Sequence, residues 1–194
     1  MNRSFSFLVA GVVSVSACSK DKTDATPAAA AASGSQAPSA QVEADLADVT
    51  NYRLSMDKID KYIAAQKNIG AKAASLTPAQ REALQARNDD SSDPNASLND
   101  MVKRIEAEPM MVSAIRDAGL SPREFTMITI SMMQTGMAAA VLKMRPTDNQ
   151  DSLIREMKAN PDNIKFYNAN EAEITRKAKE VEAEMKKLGI SNDS

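Results

Sequence analysis

The sequence contains no histidine, no tryptophan and a single cysteine among its 194 residues. Without histidine it lacks the usual general base at neutral pH, the Ser-His and Cys-His pairs of nucleophilic enzymes, and the commonest zinc and copper ligand. Aromatic residues make up only 4% of the chain, so platforms for stacking sugars or nucleic-acid bases are poorly supplied. A lone cysteine excludes an intramolecular disulfide. These absences predict a protein that is not an enzyme and that uses no metal or other cofactor.

The charges of the chain are nearly balanced. Lys and Arg total 24, Asp and Glu total 26, and the formal net charge is −2. Proteins that bind nucleic acid concentrate positive charge to neutralise phosphates, and this composition shows no such excess. We therefore expect no nucleic-acid partner.

Residues 1–17 have the layout of a secretory signal peptide. Arg3 supplies a positive charge, an apolar run follows over residues 5–15, and the small residues Ser16 and Ala17 come last. The apolar run is shorter than the roughly 20 residues that a permanent membrane span needs. The sequence therefore predicts export and removal of residues 1–17.

The only cysteine directly follows this segment, in the order Val15-Ser16-Ala17-Cys18. This order resembles the lipobox of bacterial lipoproteins. The resemblance implies that the Cys18 thiol is joined to a diacylglycerol, that cleavage occurs just before it, and that Cys18 is the lipidation site by which the protein is anchored to a membrane. Two or more acyl chains anchor a protein stably, whereas one binds only marginally. By the same resemblance Ser19, where Asp would retain the protein at the inner membrane, implies the periplasmic face of the outer membrane. An ordinary signal peptide followed by an incidental thiol is the alternative.

Residues 18–41 are predicted to form the lipidated Cys18 and a flexible tether. After Cys18 the segment is rich in Ala and Ser, and its only apolar side chains are those of Ala and Pro. Such a segment cannot bury enough apolar surface to offset the entropy of ordering it. The tether would hold a folded domain away from the lipid headgroups.

Residues 42–190 are predicted to form one helical globular domain. Their apolar residues recur at helical spacings, with no strict alternation and no Asn-Gly or Asp-Gly turn. We expect an all-α fold, an irregular bundle of about five to seven helices around a central apolar helix at about 122–144. Local signals for helix starts, interruptions and ends stand at Ser55, Thr77-Pro78, Ser97, Pro109, Gly119, Ser121-Pro122, Asn160-Pro161 and Gly189.

Two helical regions leave alternatives open. Residues 42–74 form either one helix or two, with Ser55 as an internal cap. The region from Pro161 to Leu188 forms either one long helix or two that meet near residues 168–170, and we favour the break.

The central helix is the most informative segment because no charged residue lies between residues 125 and 142. A helix that is apolar nearly all round must be surrounded, either by protein or by lipid. Its hydroxyl and amide residues and its short length favour protein over a membrane span. This interpretation buries Met133 and Met137, which share a face in the middle of the segment.

Methionines form the first candidate site, with 12 in the chain. A cluster of them could bind Cu(I) through soft thioethers. Methionine is also a flexible core filler, and with no His or free Cys to complete a site we favour core packing. The clustered residues are Met110, Met111, Met127, Met132, Met133, Met137 and Met144.

An acidic loop is the second candidate. Its oxygen-bearing residues occupy positions 1, 3, 5, 7, 9 and 12 of an EF-hand-like loop, which suits Ca²⁺: Asp89, Ser91, Asp93, Asn95, Ser97 and Asp100. However, Pro94 stands where that motif needs glycine, and Asp100 stands where it needs glutamate. We favour an ordinary loop without a bound metal.

Catalytic and recognition groups are less well defined. No two glutamates are singled out as an acid-base pair among Glu106, Glu108, Glu124, Glu156, Glu171 and Glu173. The S-x-x-K spacing of Ser55 and Lys58 is better explained by Ser55 as a helix cap. An asparagine-rich stretch could present a recognition surface but is better explained as caps: Asn160, Asn163, Asn168 and Asn170.

The sequence thus predicts a lipid-anchored cell-envelope protein whose non-enzymatic helical domain binds a protein partner. The discriminating feature would be an exposed apolar patch on one helix face. The alternative is a helical bundle that binds a small apolar ligand or lipid. An enzyme that uses paired carboxylates or a Ser/Lys pair is a third hypothesis.

Overall fold

The computed structural model describes residues 40–89, 97–146 and 149–190, and all regular structure in these ranges is helical. The predicted all-α bundle is confirmed. Eight helices occur in the described ranges, compared with the predicted five to seven. Residues 52–55 separate the first two helices, and α7 is a short separate helix. They are α1 (Ala40–Asn51), α2 (Met56–Ala74), α3 (Pro78–Asp89), α4 (Leu98–Glu106), α5 (Pro109–Asp117), α6 (Pro122–Met144), α7 (Gln150–Glu156) and α8 (Pro161–Lys187). The signal peptide, Cys18 and all but the end of the tether lie outside the described residues.

Local sequence signals set where the helices begin. The Ser55 hydroxyl accepts the backbone N–H of Lys58 at 3.4 Å, so Ser55 is a cap, as predicted. Ser97 and Asp100 form a reciprocal capping box at the start of α4. Pro109 begins α5 as a separate helix. The first helical turn leaves backbone N–H groups unpaired. The hydroxyls of Ser55 and Ser97 accept such groups, and Pro109 has no N–H that needs a partner.

Helix ends follow the same rule. Gly119 after α5 and Gly189 after α8 have φ angles of 77° and 71°, the left-handed conformation that glycine adopts without strain. Both residues were predicted to end a helix, and both predictions are confirmed.

The predicted break near residues 168–170 is wrong, because α8 runs without interruption from Pro161 to Lys187. The side-chain amide of Asn170 donates to the carbonyl oxygen of Phe166 at 2.8 Å, one turn back in the same helix. Glu171, the polar residue that interrupts the apolar repeat, accepts from Lys143 of α6 at 2.7 Å. The polar position therefore meets a cation on a neighbouring helix and does not mark a helix end.

Helix α6 is the central element, as predicted. It contacts α1, α2, α4, α5, α7 and α8. Its buried Ile128 lies in the main core with Ile59 of α2 and Ile115 of α5. Ala138 and Leu142 belong to a second cluster, which joins the end of α6 to α7 and α8.

Two asparagines fix the extended linker between α1 and α2. The buried Asn163 accepts the N–H of Leu54 at 2.9 Å through Oδ1 and donates to the carbonyl oxygen of Tyr52 at 2.8 Å through Nδ2. Asn160 caps α8 and donates to the carbonyl oxygen of Thr50 at 2.7 Å. These amides satisfy backbone groups that helical hydrogen bonds do not reach. The predicted capping role is confirmed for Asn160 alone, because Asn163 and Asn170 lie within α8 and do not cap a helix.

Helix α1 is joined to the bundle through polar contacts as well. The carboxylate of the buried Asp45 accepts the N–H of Leu98 at 2.8 Å, so α1 caps the first turn of α4 from outside that helix. Arg123 at the start of α6 donates to Asp48 and to Asn99, each at 2.9 Å. Helices α1, α4 and α6 therefore meet in one polar junction.

Candidate interaction surface

One side of α6 leaves large apolar side chains in solvent. Met133, Met137 and Met144 are 49%, 64% and 75% exposed. Their spacings of four and seven residues place them on one side of the helix, where Ala140 is also exposed. We call Met133, Gly136, Met137, Ala140 and Met144 the methionine face.

The methionine face corrects the prediction that Met133 and Met137 are buried. That prediction assumed that a helix without charged residues is covered on every side. The neighbouring helices cover only part of α6, and 44% of its most apolar 18-residue window is buried. Other members of the methionine cluster do pack as predicted, since Met127 is buried and Met111 and Met132 lie against the main core.

The polarity of α6 is reversed along its middle turns. Ser131 and Thr135 face the interior and are only 1% and 2% exposed, whereas Met133 and Met137 face solvent. A helix on the surface of a soluble domain normally shows the opposite arrangement. A contiguous row of large apolar side chains in solvent is a candidate interaction site.

Gly136 lowers one side of the methionine face. A Cβ atom added there would find no neighbouring atom of the described residues within 4 Å, so their packing does not require glycine at this position. Glycine inside a helix is less favourable than alanine by about 1 kcal/mol. With Ala140 one turn later, Gly136 forms a shallow notch beside the row of Met133 and Met137.

The charge next to the methionine face is neutralised within the domain. Lys143 donates to both carboxylate oxygens of Glu171, each at 2.7 Å, and both side chains are about half exposed. This ion pair joins α6 to α8 at one edge of the face. The face itself carries no charge.

No protein-family model, no curated protein and no solved structure matches the chain. Within the described residues, α6 is the one helix long and apolar enough to cross a membrane, judged by length and composition alone. A core helix of a soluble protein passes the same test. The geometry of the methionine face is therefore the main guide to function.

Three of the six carboxylate candidates have a partner that is not another carboxylate, and one of these is the Glu171 already described. Glu124 accepts from the Tyr52 hydroxyl at 3.4 Å, and Glu173 lies 3.5 Å from Lys177. Burial raises the pKa of the Tyr52 phenol well above its ordinary value, and the nearby Glu124 carboxylate raises it further. Within residues 40–89, 97–146 and 149–190, no three His, Cys, Asp or Glu residues are grouped to hold a metal ion.

The EF-hand-like loop lies largely outside the described residues, which resume at Ser97. The Ser97 hydroxyl donates to the Asp100 carboxylate at 2.6 Å, and hydrogen bonds from Ser97 lower the pKa of Asp100. In the described part, the last two oxygen-bearing positions of the loop are thus used to start α4. The prediction that no metal binds there stays a prediction.

A second surface feature is an open groove of about 680 Å³ between α1, α7 and the start of α8. Ala47, Ile154 and Ala159 give it apolar lining, and its charged lining residues are Arg155, Lys158 and Asp151. Lys158 has a φ angle of 51°, and its carbonyl oxygen accepts from the Thr50 hydroxyl at 3.0 Å. The sequence did not predict this groove, because its walls come from segments about a hundred residues apart.

Proposed function

We propose that the protein is a lipid-anchored component of the cell envelope whose helical domain binds a protein partner through the methionine face, without enzymatic activity. The observation that carries this proposal is the outward exposure of Met133, Met137 and Met144 on an uncharged side of α6. Unbranched, polarisable methionine side chains adapt to an apolar partner and bury area on contact. The exposed methionines of these turns leave apolar surface in water in the free domain, and a bound partner would cover that surface.

The anchoring part of the proposal rests on Cys18 and on the composition of the segment after it. The tether of residues 18–41 would allow the domain to reach partners at some distance from the headgroups. We place the protein at the periplasmic face of the outer membrane, because Ser19 follows the lipidated residue.

Metabolic labelling with radioactive palmitate tests the anchor. The full chain expressed in a bacterium with a lipoprotein pathway should take up label, and Cys18→Ala should abolish it. The variant should also be released from membranes in the cell fraction. An unlabelled wild-type protein contradicts the anchoring proposal.

Photo-crosslinking in living cells tests the interaction. A photoreactive amino acid replaces Met137 in the full chain, and a matched variant carries it at Lys179, which is exposed on α8. We expect a discrete adduct from position 137 and none from position 179. No adduct from position 137, or equal adducts from both, contradicts a role for the methionine face.

The groove between α1, α7 and α8 favours a second candidate function, the binding of a small apolar ligand or lipid with an acidic headgroup. Ile154 and Ala159 offer apolar contact beside the positive charge of Arg155. Native mass spectrometry of the full chain purified from its own host should then show a bound mass. That mass should disappear in Ile154→Asp.

A further inference from the structure

The methionine face is complementary to itself when two copies of α6 lie antiparallel. Measured from the midpoint between Gly136 and Met137, Met133 and Met137 each lie as far to one side as a small residue lies to the other. The matched pairs are Met137 with Gly136 and Met133 with Ala140, whereas Met144 would meet the partly buried Thr129, whose hydroxyl donates to the carbonyl oxygen of Phe125. We infer that the partner of this face is a second copy of the chain. This inference rests on the proposed function and identifies the protein partner that the proposed function requires.

Helix packing geometry supports this pairing. Met133 and Met137 belong to one row of residues four apart, and Gly136 and Ala140 belong to the neighbouring row. The first row is a ridge, and the second is a groove at Gly136 and Ala140 that ends at Met144 one turn later. Ridges of this kind pack into matching grooves when helices cross at about −50°. In an antiparallel pair related by a twofold axis, each copy supplies one ridge and one groove to the other.

The charge distribution also permits self-association. In a twofold interface the same surface of each copy faces the other, so a face that carries charge of one sign would repel the identical face of the second copy. No charged residue lies between residues 125 and 142, and Lys143 at the edge is already paired with Glu171. Association of this face with itself therefore brings no like charges together at its centre.

The size of the face sets the expected strength of the contact. Residues 129–144 extend about 24 Å along α6, and a helix contact strip about 10 Å wide covers roughly 250 Å² on each copy. Stable dimers in solution bury about 1,000 Å² or more in total, so this contact is weak for freely diffusing copies. Anchoring both copies to one membrane raises their effective concentration and favours the pair there.

A lipid surface is the competing occupant. A lipid surface covers exposed apolar area of any shape, and a notch that fits a methionine side chain does not strengthen binding to lipid. Gly136 lies beside Met133 and Met137 on the face, although packing of the described residues does not need glycine there. The match between large and small residues therefore favours a second helix over lipid.

Engineered cysteines test the antiparallel register. Positions 133 and 140 lie about 10 Å apart along one helix, too far for a disulfide within the copy. In the inferred pair, each faces the other across the interface. We expect the full chain carrying Met133→Cys and Ala140→Cys to form a disulfide-linked dimer in cells treated with copper phenanthroline, at least tenfold more than either single variant. The wild type is the control for Cys18.

The remaining outcomes are distinct. Strong dimers from the single variants would show a parallel pair and overturn the inference. An adduct with a different protein would also overturn it, while the proposed function of the methionine face would stand. If no adduct forms from the cysteines, the inference fails, and the photo-crosslink from position 137 decides separately whether the proposed function fails with it.

A notch-filling variant gives a second measurement. Gly136→Leu places its side chain in open space, so the domain should fold at least as well as the wild type. In the double-cysteine background it should lower the dimer yield at least tenfold, whereas Ala183→Leu on the exposed side of α8 should leave the yield unchanged. An unchanged yield with Gly136→Leu, or stronger binding of its unlipidated Cys18→Ser form to phosphatidylethanolamine vesicles without any dimer, overturns the inference.

Discussion

Replacing Ser131 by alanine is expected to stabilise the protein, although the residue lies in the middle of the core. Its side-chain oxygen is buried and has no hydrogen-bond partner in the described part of the chain. By contrast, the hydroxyl of Thr126 in the same helix donates to the carbonyl oxygen of Pro122 at 2.8 Å. A buried hydroxyl without a partner costs about 1–3 kcal/mol, and alanine is the better helix former by a few tenths of a kcal/mol.

We therefore expect Ser131→Ala to raise the free energy of unfolding by about 1–2 kcal/mol, or the melting temperature by about 2–4 °C per kcal/mol. Urea unfolding of the full Cys18→Ser chain, followed by circular dichroism, measures this change. Thr126→Ala is the matched control and should lose about 1 kcal/mol, because it removes a satisfied hydroxyl and buried carbon. A loss of stability in Ser131→Ala would refute the reasoning, since it would show that the hydroxyl is paired in the folded protein.

Three further changes test the packing of the bundle. Asp45→Ala should lower the free energy of unfolding by about 2 kcal/mol in the same urea assay, because the N–H of Leu98 loses a charged acceptor; a change near zero contradicts this cap. A Cβ atom at Gly70 would clash with Sδ and Cε at the flexible end of the Met185 side chain, so Gly70→Ala should be more favourable by about 0.5 kcal/mol in a Met185→Ala background than alone, and additive effects contradict the close contact. Burial raises the pKa of the Tyr52 phenol, so the neutral phenol stabilises the folded protein fully below its ordinary pKa of 10.0, and this stabilisation is lost as the pH rises further. The urea concentration at the unfolding midpoint should therefore be lower at about pH 11 than at about pH 9, and this decrease should be smaller in Tyr52→Phe.

Helix boundaries could be predicted from the sequence because their causes are local. Ser97, Pro109 and Gly119 each act on backbone groups within a few residues of themselves. The same reasoning failed at Glu171, because its partner Lys143 lies on another helix. It also could not find the cap that Asp45 provides to α4, since the two residues are far apart in the chain.

The sequence could not predict which side of α6 faces the core, for a related reason. A helix whose apolar residues lie all round has no periodic signal to say which side faces the core, so Met133 was predicted on the wrong side. Small residues did not distinguish the two sides either, because Ala138 and Ala139 are buried whereas Ala140 is exposed.

The reversed polarity of α6 links the stability of the domain to its proposed role. A free domain that buries Ser131 without a partner and exposes Met137 is less stable than a domain with the same fold and the two polarities exchanged. Binding of a second copy would cover the methionines but would leave Ser131 unpaired. Ser131→Ala should therefore raise the stability of the monomer without changing the dimer yield of the double-cysteine chain, whereas Gly136→Leu should change the yield without lowering stability. Separate responses of this kind would show that the core side and the outer side of one helix serve folding and association independently.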